Sequence, residues 1–346
     1  MTYANLVVNI NDIEYVLANL MDSVGLLTTG FCFTLVSFHN ASIIKVIEVI
    51  KNNCDPGHYK ILKERQVFEE YNHIIDILFR IASYYLIPYV CIVCIIPILS
   101  RSSDRTSVDS SNDSSVENNY PLPLDLYQLH DINNEVIYFL TYMFIVIILT
   151  FNVLIRLNID FLFVLTVFHL CGQISVLSIR IENLTTSHPK IFQEELIAVI
   201  NYHHTIIWLS KRMKRIFSFY LASFLLTSTF LLCLTNYQGL ANMKQGNSFK
   251  AIRCFLCTFI ISGMVFVNCL LGNFLVAESG NLERAFYECL WYKTSPAFQK
   301  MILVCLMQSQ SPLYLSAGGF TVVSLATLTA VMKTTAGYLS LLRAVM

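Results

Sequence analysis

Residues 133–183 read NNEVIYFLTYMFIVIILTFNVLIRLNIDFLFVLTVFHLCGQISVLSIRIEN, and this long apolar stretch decides the fold. It contains two runs, Val136–Ile155 and Phe161–Ile179, each long enough to cross a bilayer as a helix. The link between them, Arg156 to Asp160, has no glycine or proline to turn the chain. Because Arg156 and Asp160 are spaced i,i+4, they suit one exposed turn of a continuous helix. We therefore predict a single helix of about 75 Å from Asn133 to about Asn183.

Such a helix is well over twice as long as the hydrocarbon core of a bilayer is thick. We expect its first half to span the membrane and its second half to project beyond it. The second half is also apolar, so it needs protein to pack against outside the lipid.

The composition is that of a membrane protein. Of 346 residues, 55% are apolar and 13% are charged, and the mean hydropathy is +0.58. A soluble domain carries about 25% charged residues, so an ordinary cytosolic enzyme is excluded. The 23 basic and 23 acidic residues balance, which leaves no whole-chain basic field for nucleic acid.

The sequence lacks the patterns of a catalytic or metal-binding site. We find no paired carboxylates, no nucleophile beside a base and no phosphate-binding glycine loop, and we predict neither enzymatic activity nor a cofactor. The CxxC pairs Cys91/Cys94 and Cys254/Cys257 lie in apolar runs, where thiols behave as small apolar side chains. A metal role for His203 and His204 is likewise not predicted.

Six spans are predicted when the long helix is counted once. The other apolar runs are Tyr15–Phe38, Ile81–Leu99, Ile216–Thr235, Phe255–Val276 and Leu313–Met332. Alternate connections carry fourteen and five Lys and Arg residues, and the richer side is expected to be cytoplasmic. Both chain ends then face outward. The polar loop Ser100–Asn119, with the glycosylation sequon at Asn112, also falls outside.

The C-terminal part carries the most specific motifs. It reads AFYECLWY over 285–292, QSQSPLYLSAGGF over 308–320 and SLATLTAVMKTTAGYLSLLR over 324–343. This block resembles the last segment of insect odorant receptors. The matching positions are Ala285, Tyr287, Trp291, Tyr292, Ser309, Gln310, Pro312, Ala317, Gly318, Phe320, Ser324, Leu325, Thr327, Lys333, Thr334 and Tyr338.

Other stretches resemble the same family. They are Asp160–Gln173 and the sequence Tyr202-His203-His204, and the resemblance extends from about Asp12 onward. Departures from the pattern are Leu328, where the family has phenylalanine, and Ala336-Gly337, which replaces a Tyr-Ser pair.

The resemblance implies an all-α polytopic membrane fold with seven spans, a cytoplasmic N-terminus and helix extensions packed into a cytoplasmic anchor. Residues 1–280 would hold the transmembrane helices, the ligand pocket and the helix extensions. Residues 281–346 would hold an anchor helix, from Glu283 to about Ser309, and the pore-lining last helix, separated from it by Pro312. Since Asp12–Phe38 resembles the second family helix, the first helix is expected to be missing, as in a truncated gene model or a degenerate copy.

The function implied is that of an odorant-gated, non-selective cation channel subunit. It would be a tuning subunit, joined in a heterotetramer with the odorant receptor co-receptor in the plasma membrane of olfactory neuron dendrites, and it would bind small volatile odorants.

Two sets of site residues follow from the resemblance. The outer halves of the early spans and of the sixth family helix would form the odorant pocket; here they offer Tyr15, Asn19, Tyr84, Tyr85, Tyr89, Tyr138, Tyr142, Phe255 and Phe259. The tyrosines also suit an interfacial aromatic belt. The pore face of the last span would carry Met332, Lys333, Ala336, Leu341 and Val345, with Leu341 and Val345 at the gate. The alternative for this face is contact with lipid or another helix.

Three other classes compete with this interpretation. A gustatory-type chemoreceptor shares the architecture but favours a different C-terminal ending. A G-protein-coupled receptor would end on the cytoplasmic side, opposite to the predicted orientation. A transporter would show an internal repeat with paired broken helices, which the sequence lacks.

Overall fold

The structure, a computed structural model, describes residues 13–54, 59, 61–81, 83–84, 135–184, 189–244, 246 and 248–345. Its helices are α1 (Ile13–Phe38), α2 (Asn40–Asn53), α3 (62–81), α4 (Glu135–Glu182), α5 (Pro189–Lys244), α6 (Ser248–Glu288), α7 (Pro296–Ser309) and α8 (Leu325–Val345). A 3-10 turn (Trp291–Lys293) and a hairpin of β1 (Ser316–Ala317) and β2 (Thr321–Val322) complete the described elements.

Several predictions concern residues outside this description. They are most of the span Ile81–Leu99, including Cys91 and Cys94, the loop Ser100–Asn119 with its sequon at Asn112, the residues Tyr85 and Tyr89, and the side chains of Tyr15 and Val345.

Helix α4 is continuous through Arg156–Asp160, as the absence of a helix breaker predicts. Its two halves meet different surroundings. Large apolar side chains such as Phe139, Phe144 and Phe151 are exposed on the first half. In the second half nearly every residue from Phe163 to Ile181 is buried by other helices. The apolar surface of the first half is the kind that lipid covers, and that of the second half is covered by protein.

Four helices in the described part of the chain are long and apolar enough to cross a membrane. They are Asn19–Phe38, Val136–Glu182, Lys190–Lys244 and Ala251–Lys293. The predicted runs Tyr15–Phe38, Ile216–Thr235 and Phe255–Val276 lie within α1, α5 and α6. The total of six spans stays a prediction.

The main core lies between the second half of α4, the first half of α5 and the second half of α6. Phe163 of α4 packs its ring against Phe217 and Tyr220 of α5, with centroids 5.1 and 5.7 Å apart. Phe286 of α6 is fully buried against His203 of α5. Helix α7 contributes the buried Ile302 to this core, which is the main cluster of buried apolar side chains among the described residues.

Paired polar groups cross the core between α3 and α4. The guanidinium of Arg180 donates to both carboxylate oxygens of Glu64 at 3.2 and 3.1 Å, and it lies over the ring of Tyr202. The hydroxyl of Tyr59 donates to the carbonyl oxygen of Asn53 and accepts from Gln173. Burial raises the pKa of Tyr59 to about 12, so its hydroxyl stays protonated at neutral pH.

The C-terminal helices differ from prediction in two places. The expected anchor helix from Glu283 to about Ser309 is wrong, because α6 ends at Glu288 and α7 starts at Pro296. Proline lacks an amide hydrogen and occupies the first turn of α7, where no hydrogen bond is lost. The expected span Leu313–Met332 is also wrong: its first twelve residues form the hairpin segment, and α8 begins at Leu325.

The prediction that Arg156 and Asp160 form an exposed turn is wrong as well. Their side chains are only 18% and 16% exposed, and Nε of Arg156 lies 3.1 Å from Oδ2 of Asp160. The hydroxyl of Tyr220 on α5 donates to Asp160, and the guanidinium lies over the rings of Tyr220 and Phe224. Nη1 of Arg156 also lies 3.7 Å from the sulfur of Cys32 on α1. The spacing indicated the pair, but α1 and α5 cover it.

We expect Asp160→Asn to lower the thermal stability of the purified chain markedly. The substitution leaves Arg156 buried without a counter-charge, which costs about 3 kcal/mol or more in comparable pairs. The matched control is Glu69→Gln, whose partner Arg65 and own side chain are 58% and 60% exposed. Exposed pairs contribute less than about 1 kcal/mol. Equal melting temperatures for the two variants would contradict this assignment.

Candidate functional site

The packing of α1 on α5 shows which positions of the two helices lie at the same level along the bundle, and so locates the predicted pocket residues. The hydroxyls of Thr28 and Thr227 lie 3.2 Å apart, and the sulfur of Cys32 lies 3.8 Å from the hydroxyl of Ser223. A step of four residues along α1 is therefore matched by four residues in the opposite direction along α5. Continuing this antiparallel register places Asn19 level with residue 236 of α5.

The other two long helices place predicted residues at the same height. Thr235 and Thr258 join α5 to α6 through hydroxyls 2.9 Å apart, and Phe255 packs its ring edge against Gly239. The register of α4 on α5, set by the Asp160–Tyr220 and Phe163–Phe217 contacts, places Tyr142 level with residue 238. Asn19, Tyr142 and Phe255 thus share one level, at the end of α5 near Lys244.

Tyr138 and Tyr142 form a small aromatic cluster of their own. Both side chains are buried, their ring centroids lie 5.9 Å apart, and Val146 packs beside them. Asn19 is also buried and accepts a hydrogen bond from the hydroxyl of Ser23. These side chains combine apolar surface with a few polar atoms, the combination that holds small, mostly apolar ligands.

Other predicted residues do not join this group. Tyr84 and Phe259 are 73% and 76% exposed. The sequence interpretation missed Ser23, whose hydroxyl donates to Asn19, and the pair Thr235 and Thr258, whose hydroxyls join α5 to α6 near the same level. In the sequence, each appears only as a serine or threonine within an apolar run. This pattern is common in helices and does not by itself indicate a binding site.

Two cavities lie at the opposite end of the helices and involve none of the predicted ligand residues. One of about 660 Å³ is lined by Ala277, Gly280, Asn281, Glu283, Arg284, Tyr287, Leu306 and Gln310. The other, of about 220 Å³, lies among the ends of α4 and α6 and the start of α7. The larger one is open and charged, so it does not suit an apolar ligand, and we place the candidate site at the other end.

The hairpin before α8 is fastened to both long helices. The amide of Gly318 donates to the carbonyl oxygen of Ser218 on α5 at 2.9 Å. The amide of Leu313 donates to the hydroxyl of Ser279 on α6, also at 2.9 Å. Gly318 and Gly319 have φ values of 62° and 80°, which form the turn between the strands and which other residues rarely adopt.

A close backbone contact fixes where α8 begins. At Gly272 of α6, a Cβ atom would collide with the carbonyl oxygen of Val323. Only glycine permits this approach. Because Val323 ends the hairpin and α8 starts at Leu325, Gly272 sets the position of the base of the last helix.

The predicted pore residues lie on the open side of α8. Lys333, Ala336 and Leu341 are exposed, whereas Val331 and Thr335 on the opposite side are buried. Met332 is exposed next to Lys333. The open side of α8 is therefore available to water or to another subunit.

Comparison with known proteins identifies the family. A family model described as 7tm Odorant receptor matches residues 14–336. The chain belongs to the odorant receptor family. This is a family of receptors and ion channels rather than enzymes. Among its described residues, four helices of this odorant receptor are apolar enough to cross a membrane, in agreement with a multi-pass membrane protein.

Curated relatives include insect odorant receptors and a co-receptor. Odorant receptor 49a of Drosophila melanogaster is 30% identical over 43% of this receptor chain and 37% of its own length. Odorant receptor 67c of the same species is 26% identical over 53% of this chain and 45% of its own length. The Odorant receptor coreceptor of Ooceraea biroi is 28% identical over 46% of this chain and 33% of its own length. The chain thus spans less than half the length of these relatives.

The fold of this receptor is similar to that of a solved olfactory receptor. The structure of the insect olfactory receptor OR5 from Machilis hrabei in complex with eugenol matches with a TM-score of 0.76 and 15% identity. The match covers all of this chain and 85% of that one. The structure of OR5 described without eugenol gives a TM-score of 0.72 at 16% identity. At this identity, the similarity establishes the fold.

We expect Gly272→Ala to disrupt the base of α8 in this receptor. The added methyl group cannot coexist with the carbonyl oxygen of Val323, so α6 or the hairpin must shift, at a cost of about 1–3 kcal/mol. Gly263→Ala on the same helix is the control, because a Cβ there meets no atom within 4 Å. Thermal unfolding of the purified variants should show a loss at position 272 alone. An unchanged Gly272→Ala variant would show that the contact is not required.

Proposed function

We propose that this chain is the ligand-specific subunit of an odorant-gated, non-selective cation channel. In this proposal it acts in a heterotetramer with the odorant receptor co-receptor, in the plasma membrane of olfactory neuron dendrites. The observation that carries the proposal is the odorant receptor family match across residues 14–336. The co-receptors among its relatives support the choice of partner.

The proposed ligand is a small volatile molecule held mainly by apolar burial. Asn19, Tyr138, Tyr142 and Phe255 would line its pocket, since they lie near one level of the helix bundle. Aromatic rings supply apolar area, and the amide and hydroxyl groups orient the few polar atoms of the ligand. OR5, which shares the fold, is described in complex with eugenol, and this supports a small organic ligand. Tyr15, Tyr84, Tyr85, Tyr89 and Phe259 remain proposed contacts from the sequence.

The proposed pore forms around the open side of α8. Four last helices would surround one axis, with Lys333 and Ala336 facing water and Leu341 and Val345 narrowing the path. A ring of branched apolar side chains closes a pore by excluding water, and movement apart lets water and ions enter. A lysine in this part of the helix needs water or a partner, because burying its charge in lipid costs about 2.5–3.5 kcal/mol.

Recording from cells that express the chain tests this function directly. We expect a panel of volatile odorants, eugenol included, to evoke a cation current only when the chain and the co-receptor are expressed together. Current from the chain alone would contradict the heteromer. Silence with the co-receptor across a broad panel, despite delivery of both proteins to the cell surface, would contradict the channel proposal.

Tyr142 provides a test of the pocket. We expect Tyr142→Ala to raise the odorant concentration for half-maximal current about tenfold or more, because a buried ring is worth about 1.5–3 kcal/mol. Tyr142→Phe keeps the ring and should shift that concentration much less. The control is Tyr287→Ala, which removes an exposed tyrosine at the far end of α6. Equal shifts for Tyr142→Ala and Tyr287→Ala, at matched surface expression, would remove Tyr142 from the pocket.

A further inference from the structure

A cluster of cations on α5 has no acidic partner in the described part of the chain. Lys211, Arg212, Lys214 and Arg215 follow one another within five residues, and none forms an ion pair there. Arg212 and Lys214 instead lie over the rings of Trp208 and Tyr314. Lys211 and Arg215 are exposed. The surface therefore carries a concentrated positive charge that no ion pair among the described residues neutralises.

An apolar strip begins directly above these cations. Phe219, Leu226 and Phe230 are exposed and follow Lys211 and Arg215 at spacings of four and seven residues. Such spacings place residues on one side of a helix. One face of α5 thus changes from exposed cations to exposed apolar side chains within a single turn, as at a membrane surface where charges meet headgroups and apolar groups meet acyl chains.

The hairpin adds a second apolar group at the same height. Phe320, next to the tip, is 95% exposed. Its ring lies against Gly318, which is bonded to Ser218 and packs beside Ala222 on α5. Phe320 is therefore held about one turn above Arg215. Lys214, with its amine 3.7 Å from the ring centre of Tyr314, ties the cations to the start of this hairpin segment.

We propose that Lys211, Lys214, Arg215, Phe219 and Phe320, here called the basic–aromatic patch, bind an anionic phospholipid of the cytoplasmic leaflet. The cations would bind the headgroup phosphate, and the two phenylalanine rings would lie among the upper acyl carbons. The distribution of Lys and Arg along the chain places the first half of α5, up to Arg215, on the cytoplasmic side, where anionic lipids are concentrated. Uncompensated charge beside apolar surface fits this occupant better than a neutral lipid or an apolar protein surface. The inference is independent of the channel proposal.

Native mass spectrometry of the purified full chain in detergent tests the patch, with equal amounts of dioleoyl phosphatidylserine and dioleoyl phosphatidylcholine added. The wild-type chain should retain phosphatidylserine preferentially. Lys211→Gln together with Arg215→Gln should reduce phosphatidylserine adducts about 25-fold, since each of the two basic residues contributes a factor of about five near an anionic surface. The control pair, Lys293→Gln with Lys300→Gln, removes the same charge elsewhere and should keep the preference. Inorganic phosphate should not displace the lipid.

Phe320→Ser tests the aromatic part and should fold normally, because the ring is almost fully exposed. It should lower retention of both lipids while the preference for phosphatidylserine persists. Equal retention of the two lipids by the wild-type chain would overturn the proposal, as would equal losses in the Lys211/Arg215 and control pairs. A Phe320→Ser variant that changes the oligomeric state but not lipid retention would identify the hairpin as a subunit contact and exclude it from the lipid site. Thermal unfolding of each variant confirms that the lipid data refer to folded protein.

Discussion

The second half of α4 is apolar on nearly every side, and the rest of the structure depends on the protein that encloses it. Water does not cover the apolar surface from Phe163 to Ile181 favourably. Lipid does not reach it, because the first half of α4 is by itself long enough to span the bilayer. The enclosure comes from α5 and α6, which are 56 and 41 residues long and are therefore far longer than a bilayer requires. Their opposite halves leave large apolar side chains exposed, so the same helices serve two environments.

Polar contacts also differ between the two halves. The enclosed half contains the Arg180–Glu64 ion pair, and Glu278 accepts hydrogen bonds from Tyr71 and Ser175. Among the described contacts of the opposite half are two hydroxyl pairs, Thr28–Thr227 and Thr235–Thr258. A neutral hydrogen bond contributes about 1 kcal/mol and one to a charged group contributes more, so each of the charged contacts in the enclosed half stabilises the fold more than one hydroxyl pair does.

The sequence predicted the helices better than the connections. The absence of glycine and proline between Arg156 and Asp160 was enough to predict one helix, because nothing in this link favours a turn. Hydropathy failed over Leu313–Met332, since a short apolar hairpin and the start of a membrane helix have the same apolar composition. Pro296 was a readable signal for the break after α6 that the family comparison obscured. The shared level of Asn19, Tyr142 and Phe255 depends on three helix registers, which spacing within a single helix cannot reveal.

Helices α5 and α6 connect the level of the candidate ligand residues to the last helix, α8. Thr235 and Thr258 lie on α5 and α6 at that level, and further along these helices Ser218 and Gly272 hold the hairpin from which α8 starts. The contact at Gly272 leaves no space for compression, so a displacement of α6 relative to α5 cannot be absorbed at the hairpin. It must move Val323 and therefore the base of α8. α5 and α6 therefore form a continuous link between the level of Thr235 and Thr258 and the helix whose open side carries Lys333, Ala336 and Leu341.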